Sequence, residues 1–146
     1  MPSHEQPSHA PLVRLLDVLQ PSLQMYLADS GIWSYPGKEP LKLALADVVS
    51  DQRSIVERAA VALEERGLVP VPVAYPIRYT GCHDVDMGSL LPRVIDGMRA
   101  QVAAIDAIIA AATDDAEAGE LAREARATTL GHIDVLTQVA GAAAAS

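Results

Sequence analysis

The chain has 146 residues, half of them hydrophobic, with 3% aromatics, no phenylalanine and a net charge of -8 at neutral pH. The length suits one domain, and a domain of that size buries roughly 70% of the surface its unfolded chain exposes, so it needs no disulfide or metal staple. The acidic balance argues against nucleic acid, whose binding rests on Lys and Arg neutralising phosphates, and against an anionic membrane surface.

Residues 1 to about 9 are polar, carry two prolines and read as a flexible arm without the basic start and apolar run of a signal peptide. The first helix is expected from about Ala10 to Ser30. Its stripe is Leu12, Leu15, Leu16, Leu19, Leu23 and Tyr26, at steps of three and four. Pro21 lies inside it and should kink it, since proline removes the bond to the carbonyl of Asp17. Trp33 and Tyr35 follow in a short link, where they suit a plug at the end of a bundle.

The second helix is expected from about Pro40 to Arg66, with Pro40 in the first turn and Gly67 in the left-handed position after the last. Its stripe is Leu41, Leu45, Val48, Ile55, Ala59 and Ala62, interrupted by Asp51 and Gln52. The stretch from Leu68 to Gly88 is a long crossover. Its Val-Pro-Val-Pro-Val-Ala-Tyr-Pro run is extended, because proline drives its predecessor out of the helical region. Cys82 lies here and is the chain's single cysteine, so no intrachain disulfide can form; this fits a reducing cytoplasm. The cluster Cys82, His83, Asp84 and Asp86 reads as an ordinary loop leading into a helix cap.

The third helix is expected from about Ser89 to Ala112, with the stripe Leu91, Ile95, Met98, Val102, Ile105 and Ile109. A cap at Ser89 keeps Pro92 in the first turn, where its missing N–H is harmless; an earlier cap at Asp86 would put Pro92 deeper and cost a bond. The apolar run from Val102 to Ala112 is interrupted by Asp106 and is too short to span a bilayer. The fourth helix is expected from about Asp115 to Val139. Asp114 and Glu117 have capping-box spacing, and the stripe is Leu121, Ala125, Thr128, His132, Val135, Leu136 and Val139. Residues 141–146 form an Ala-rich tail, too short to hold a helix without packing.

Short, long and short connections between four amphipathic helices give an all-α reading. In that order, and in local texture such as Asp-Gln-Arg-Ser-Ile-Val-Glu-Arg-Ala in the second helix and Leu-Leu-Pro-Arg in the third, the chain resembles the ferritin-like superfamily. The resemblance spans residues 10–140 and implies an up-down-down-up four-helix bundle with one crossover between the second and third helices. It also implies a di-metal centre built from one Glu on each of two helices and a Glu-x-x-His on each of the other two. Residues three apart share a helix face, so both can reach one metal pair.

At the matching positions the second helix has Asp51 followed by Ser54, and the fourth has Thr129 followed by His132. The third offers Asp96, and the first offers Gln20 and Gln24. This depleted set leads to two expectations. One is a non-catalytic helical scaffold or interaction module that has lost the metal site and pairs with itself, as a dimer, or with another protein through its small Ala side chains. The other is a protein that stores, carries or oxidises with iron or another divalent transition metal. It would use Asp51, Asp96 and His132, helped by Glu124, Gln20 or Gln24.

Overall fold

A computed structural model describes residues 9–30, 37–71, 73–84 and 86–145. The protein is all-helical, and no strand occurs among the described residues. The helices are α1 (Ala10–Leu19), α2 (Leu23–Ser30), α3 (Glu39–Glu65), α4 (Met87–Ala111) and α5 (Ala116–Ala145), with a 3₁₀ helix (Ile77–Asp84) in the crossover. The first arm, the Trp33–Tyr35 link and the side chains of His83 and Asp84 lie outside the described residues.

The first expected helix is broken rather than kinked. α1 ends at Leu19, and the Gln20 N–H makes the last bond, to the Leu16 carbonyl at 2.9 Å. Pro21 has no N–H to continue the ladder. The chain restarts when the Ser22 hydroxyl accepts the Met25 N–H at 3.2 Å, satisfying one orphan donor at the new N-terminus. α3 begins after Gly37 and Lys38, both left-handed at φ 101° and 56°. It closes on Gly67 (φ 81°), with Leu68 N–H bonding the Leu63 carbonyl and Gly67 N–H the Glu64 carbonyl. That double bond pattern needs a residue free to take positive φ.

Two starts shift from expectation. α4 begins at Met87, two residues early, with Asp86 as its N-cap. Pro92 therefore sits inside the helix, where it cannot bond the Gly88 carbonyl. α5 is capped by Asp115 instead of Asp114: its Oδ1 accepts the Ala118 N–H at 3.1 Å. α5 also runs on to Ala145, because Val139 and Ala140 still pack against the core beyond the expected end.

α1 packs against α3 and α4, and α5 packs against the same two; α2 continues α1 between α3 and α4. At one end Arg66, closing α3, bonds Asp115 at the start of α5 and lies beside His9 at the start of α1. At the other end Lys38 and Asp86, opening α3 and α4, face each other at 4.0 Å.

The interior falls into two apolar clusters. One gathers Leu12, Leu15 and Leu19 of α1, Ile55, Ala59 and Leu63 of α3, Ile105 and Ile108 of α4, and the Ala-rich start of α5. The other gathers Leu23 and Leu27 of α2, Leu45 and Val48 of α3, Leu90, Val94 and Met98 of α4, and Leu136 of α5. Cys82 is fully buried in the second cluster. Each fully buried Leu or Ile contributes roughly 1.5–3 kcal/mol relative to exposure. The sequence gap between the clusters is the same on α3 and α4. On α3 it lies between Val48 and Ile55, and on α4 between Met98 and Ile105.

Candidate functional site

Glutamines fill that gap. Gln24 (α2), Gln52 (α3) and Gln101 (α4) are 1%, 2% and 6% exposed. Gln24 Nε2 donates to Gln52 Oε1 at 3.0 Å and to Gln101 Oε1 at 3.1 Å, and Gln52 Nε2 donates to Gln101 Oε1 at 3.0 Å. The Gln101 amide then donates outward to the Val18 carbonyl at 3.2 Å. A buried amide without a partner costs several kcal/mol by transfer and about 1–3 by mutation, so three carboxamides on three helices satisfy one another where each alone would be expensive.

Thr129 of α5 is fully buried, and its hydroxyl has no partner among the described residues; the same is true of Gln20 Oε1 beside the α1–α2 break. Each such atom retains a desolvation cost.

The helix periodicity explains why these residues meet. On α3, positions 41, 45, 48, 52, 55, 59 and 62 follow four-three steps and all face inward. On α4 the same steps link Leu91, Val94, Met98, Gln101, Ile105 and Ile108, and all six are buried. Gln52 and Gln101 thus occupy core positions in helices whose other core positions are aliphatic.

Asp51 and His132 lie at the rim, and the structure brings them together. His132 Nε2 donates to Asp51 Oδ2 at 2.6 Å, joining α5 to α3. The His132 side chain is 15% exposed and that of Asp51 is 51% exposed, so the contact opens to solvent on its carboxylate side.

Asp96 is not part of this contact. Its side chain is 76% exposed and faces Arg99 on its own helix, because it lies on the outer face of α4. Glu124 is also committed elsewhere, as a two-pronged surface pair with Arg58 at 2.6 and 2.9 Å. That pairing lowers the Glu124 carboxyl and raises the Arg58 guanidinium from their ordinary values. Ser54 is exposed. Among the described residues, no three His, Cys, Asp or Glu side chains gather closely enough to hold a metal ion.

Sequence reading missed Gln101 as an interior residue, put Thr129 at a ligand position but left it off the apolar stripe, and noted Gln52 only as an interruption. Their signal was positional: each falls on the four-three ladder of its helix. A divalent transition metal binds best to several carboxylates and imidazoles together, and an interior of carboxamides and a hydroxyl does not fit one.

No family model, curated protein or solved structure matches the chain. No helix among the described residues is long and apolar enough to cross a membrane.

Proposed function

We propose that the chain is a ferritin-like bundle whose di-metal centre has been replaced by an amide layer, and that it works as a non-catalytic helical interaction protein. One observation carries this reading: Gln24, Gln52 and Gln101 hydrogen-bond one another midway along the bundle interior, and of the three only Gln24 is at a position the resemblance assigns to the metal centre. Neighbouring features support it. The starts of α1 and α5 share an end with the close of α3, and α3 and α4 start together at the other end. This is the arrangement expected of an up-down-down-up chain with a full-length crossover. Thr129 and His132 keep the three-residue spacing of the family's Glu-x-x-His, but threonine supplies no anionic donor.

The interaction role draws on the surface. Ala100, Ala103, Ala107 and Ala110 run along the exposed face of α4, where small side chains permit close approach of another helix. Val69, Val71 and Ile77 in the crossover are 86%, 78% and 85% exposed. A second copy of the chain is the simplest occupant of such surfaces.

The alternative, a metal protein with a reduced ligand set, draws on the Asp51–His132 contact alone. Elemental analysis after growth with added iron or manganese, combined with light scattering on the eluting species, separates the two. The proposal expects far less than one metal per chain and a dimer that Ala103→Arg dissociates. A monomer carrying stoichiometric metal, lost in Asp51→Ala and His132→Ala, would overturn it.

A further inference from the structure

A cleft of about 400 Å³ opens where α1 gives way to α2, lined also by the crossover and by α4. Gln24 and Gln101 form part of its floor, where both are almost fully covered. Arg78 from the 3₁₀ helix and Arg93 from α4 line it as well, and both are exposed. Among the described residues no carboxylate is part of its lining. Five other arginines are paired with acids, Arg53 with Asp29, Arg58 with Glu124, Arg66 with Asp115, Arg99 with Asp96 and Arg126 with Asp106, while Arg14 and Arg123, outside the cleft, have no acidic partner among the described residues. Arg78 and Arg93 have no acidic partner among the described residues; Arg78 lies over the Tyr79 ring at 5.1 Å. In a chain of net charge -8, this cleft is a local reversal of sign. Gly97 gives it depth, since a Cβ built there meets nothing within 4 Å.

We propose that this cleft binds a small organic anion, its carboxylate or phosphate group held by Arg78 and Arg93 and its body lying over Gly97 toward Gln24 and Gln101. Guanidinium groups present forked donors that match either oxyanion. Their charge is unspent here, and the cleft size falls in the range of small-molecule sites, roughly 300–1,000 Å³. The mostly apolar walls, with Pro21 and Pro76 among them, suit the uncharged part of such a ligand. The inference stands apart from the loss of the metal centre: a bundle of this shape with or without metal would carry the same cleft.

The test uses the full chain, labelled with nitrogen-15 and titrated with benzoate, succinate or inorganic phosphate against sodium chloride of equal ionic strength. A saturable shift of the Gln24 and Gln101 side-chain amides and of the Arg93 Nε–H is expected from at least one probe. Which probe acts distinguishes a carboxylate from a phosphate ligand. The affinity should fall at least about tenfold in Arg78→Gln/Arg93→Gln, a double change at exposed positions, since an unpaired oxyanion loses its charged donors. It should fall as far in Gly97→Leu, which fills the cleft while leaving both arginines and improving helix propensity. Shifts no larger than those from chloride, or shifts that survive both variants, would overturn the proposal.

Discussion

The amide layer and the Asp51–His132 contact occupy neighbouring positions and solve opposite problems. Asp51 and Gln52 are adjacent on α3, yet one step of 100° separates a side chain at the rim from one that is 2% exposed. At the rim a carboxylate is acceptable because solvent shares its charge and one imidazole suffices as partner. In the interior the chain uses neutral carboxamides: Gln24 donates to the other two, Gln52 accepts from one and donates to the other, and Gln101 accepts from both and donates to the Val18 carbonyl. The lesson is that polarity in a core is tolerated when it is uncharged and mutually satisfied, while charge is moved outward by a single residue.

The comparison can be broken most severely from the inside. Gln101→Ala removes the acceptor for both other glutamines and leaves a void. A loss of about 2–4 kcal/mol is expected in urea unfolding, whereas a loss under about 0.5 kcal/mol would show that the layer holds little together. The concerted change Gln24→Met/Gln52→Met/Gln101→Met sharpens the point. It keeps volume and removes the three amides together, leaving only the Val18 carbonyl without its side-chain donor, so stability should stay within about 2 kcal/mol of the native chain. A triple variant much weaker than Gln101→Ala would contradict that.

At the bundle end, Arg66→Ala should cost about 1–2 kcal/mol at neutral pH, since Arg66 and Asp115 are mostly buried and doubly bonded. Arg66 holds the Asp115 carboxyl below its ordinary range. A lowered carboxyl contributes stability above its unfolded value, near about 4, and loses it as pH falls through the folded value. The difference between native and variant midpoints should therefore shrink below about pH 4; a difference that persists in stronger acid would argue against the pair. The smallest effect belongs to the rim. Asp51→Asn and His132→Gln should each cost under about 1 kcal/mol, with a coupling of a few tenths in a double-mutant cycle, as half-exposed pairs usually give.

The all-helical class was legible because four stripes of aliphatic residues repeat at helical steps, and the end of α3 was legible because Gly67 marks it. The register of α4 was harder. Leu91, Met98 and Ile105 belong to both available stripes, and the choice between Val94–Gln101–Ile108 and Ile95–Val102–Ile109 is nearly balanced in hydrophobicity. Gln101 tips a reading by polarity toward the wrong one. The structure buries Val94, Gln101 and Ile108 and leaves Val102 and Ile109 half-buried.

The same bias favoured Thr128 and Val135 on α5 over Thr129, yet Val135 is 47% exposed and Thr129 is fully buried. The meeting of Asp51 with His132 was partly readable because Asp51 interrupts the second stripe and His132 falls on the fourth, which placed both in one ligand set. The amide layer was not readable helix by helix, since each glutamine is explained only by the other two. The 3₁₀ helix in the crossover carries no periodic signal of its own; it is held by the Tyr79 and Cys82 side chains buried beneath it.

The central claim is that this interior is a buried network of neutral amides with no place for a metal. Its most direct test is to add paramagnetic manganese(II) to the labelled chain and follow the side-chain amides of Gln24, Gln52 and Gln101. The account predicts three pairs of resonances, protected from solvent exchange and unchanged in width at one manganese per chain. Selective broadening of those six signals at that ratio would mean that the ion reaches the bundle's centre, and the account would fail.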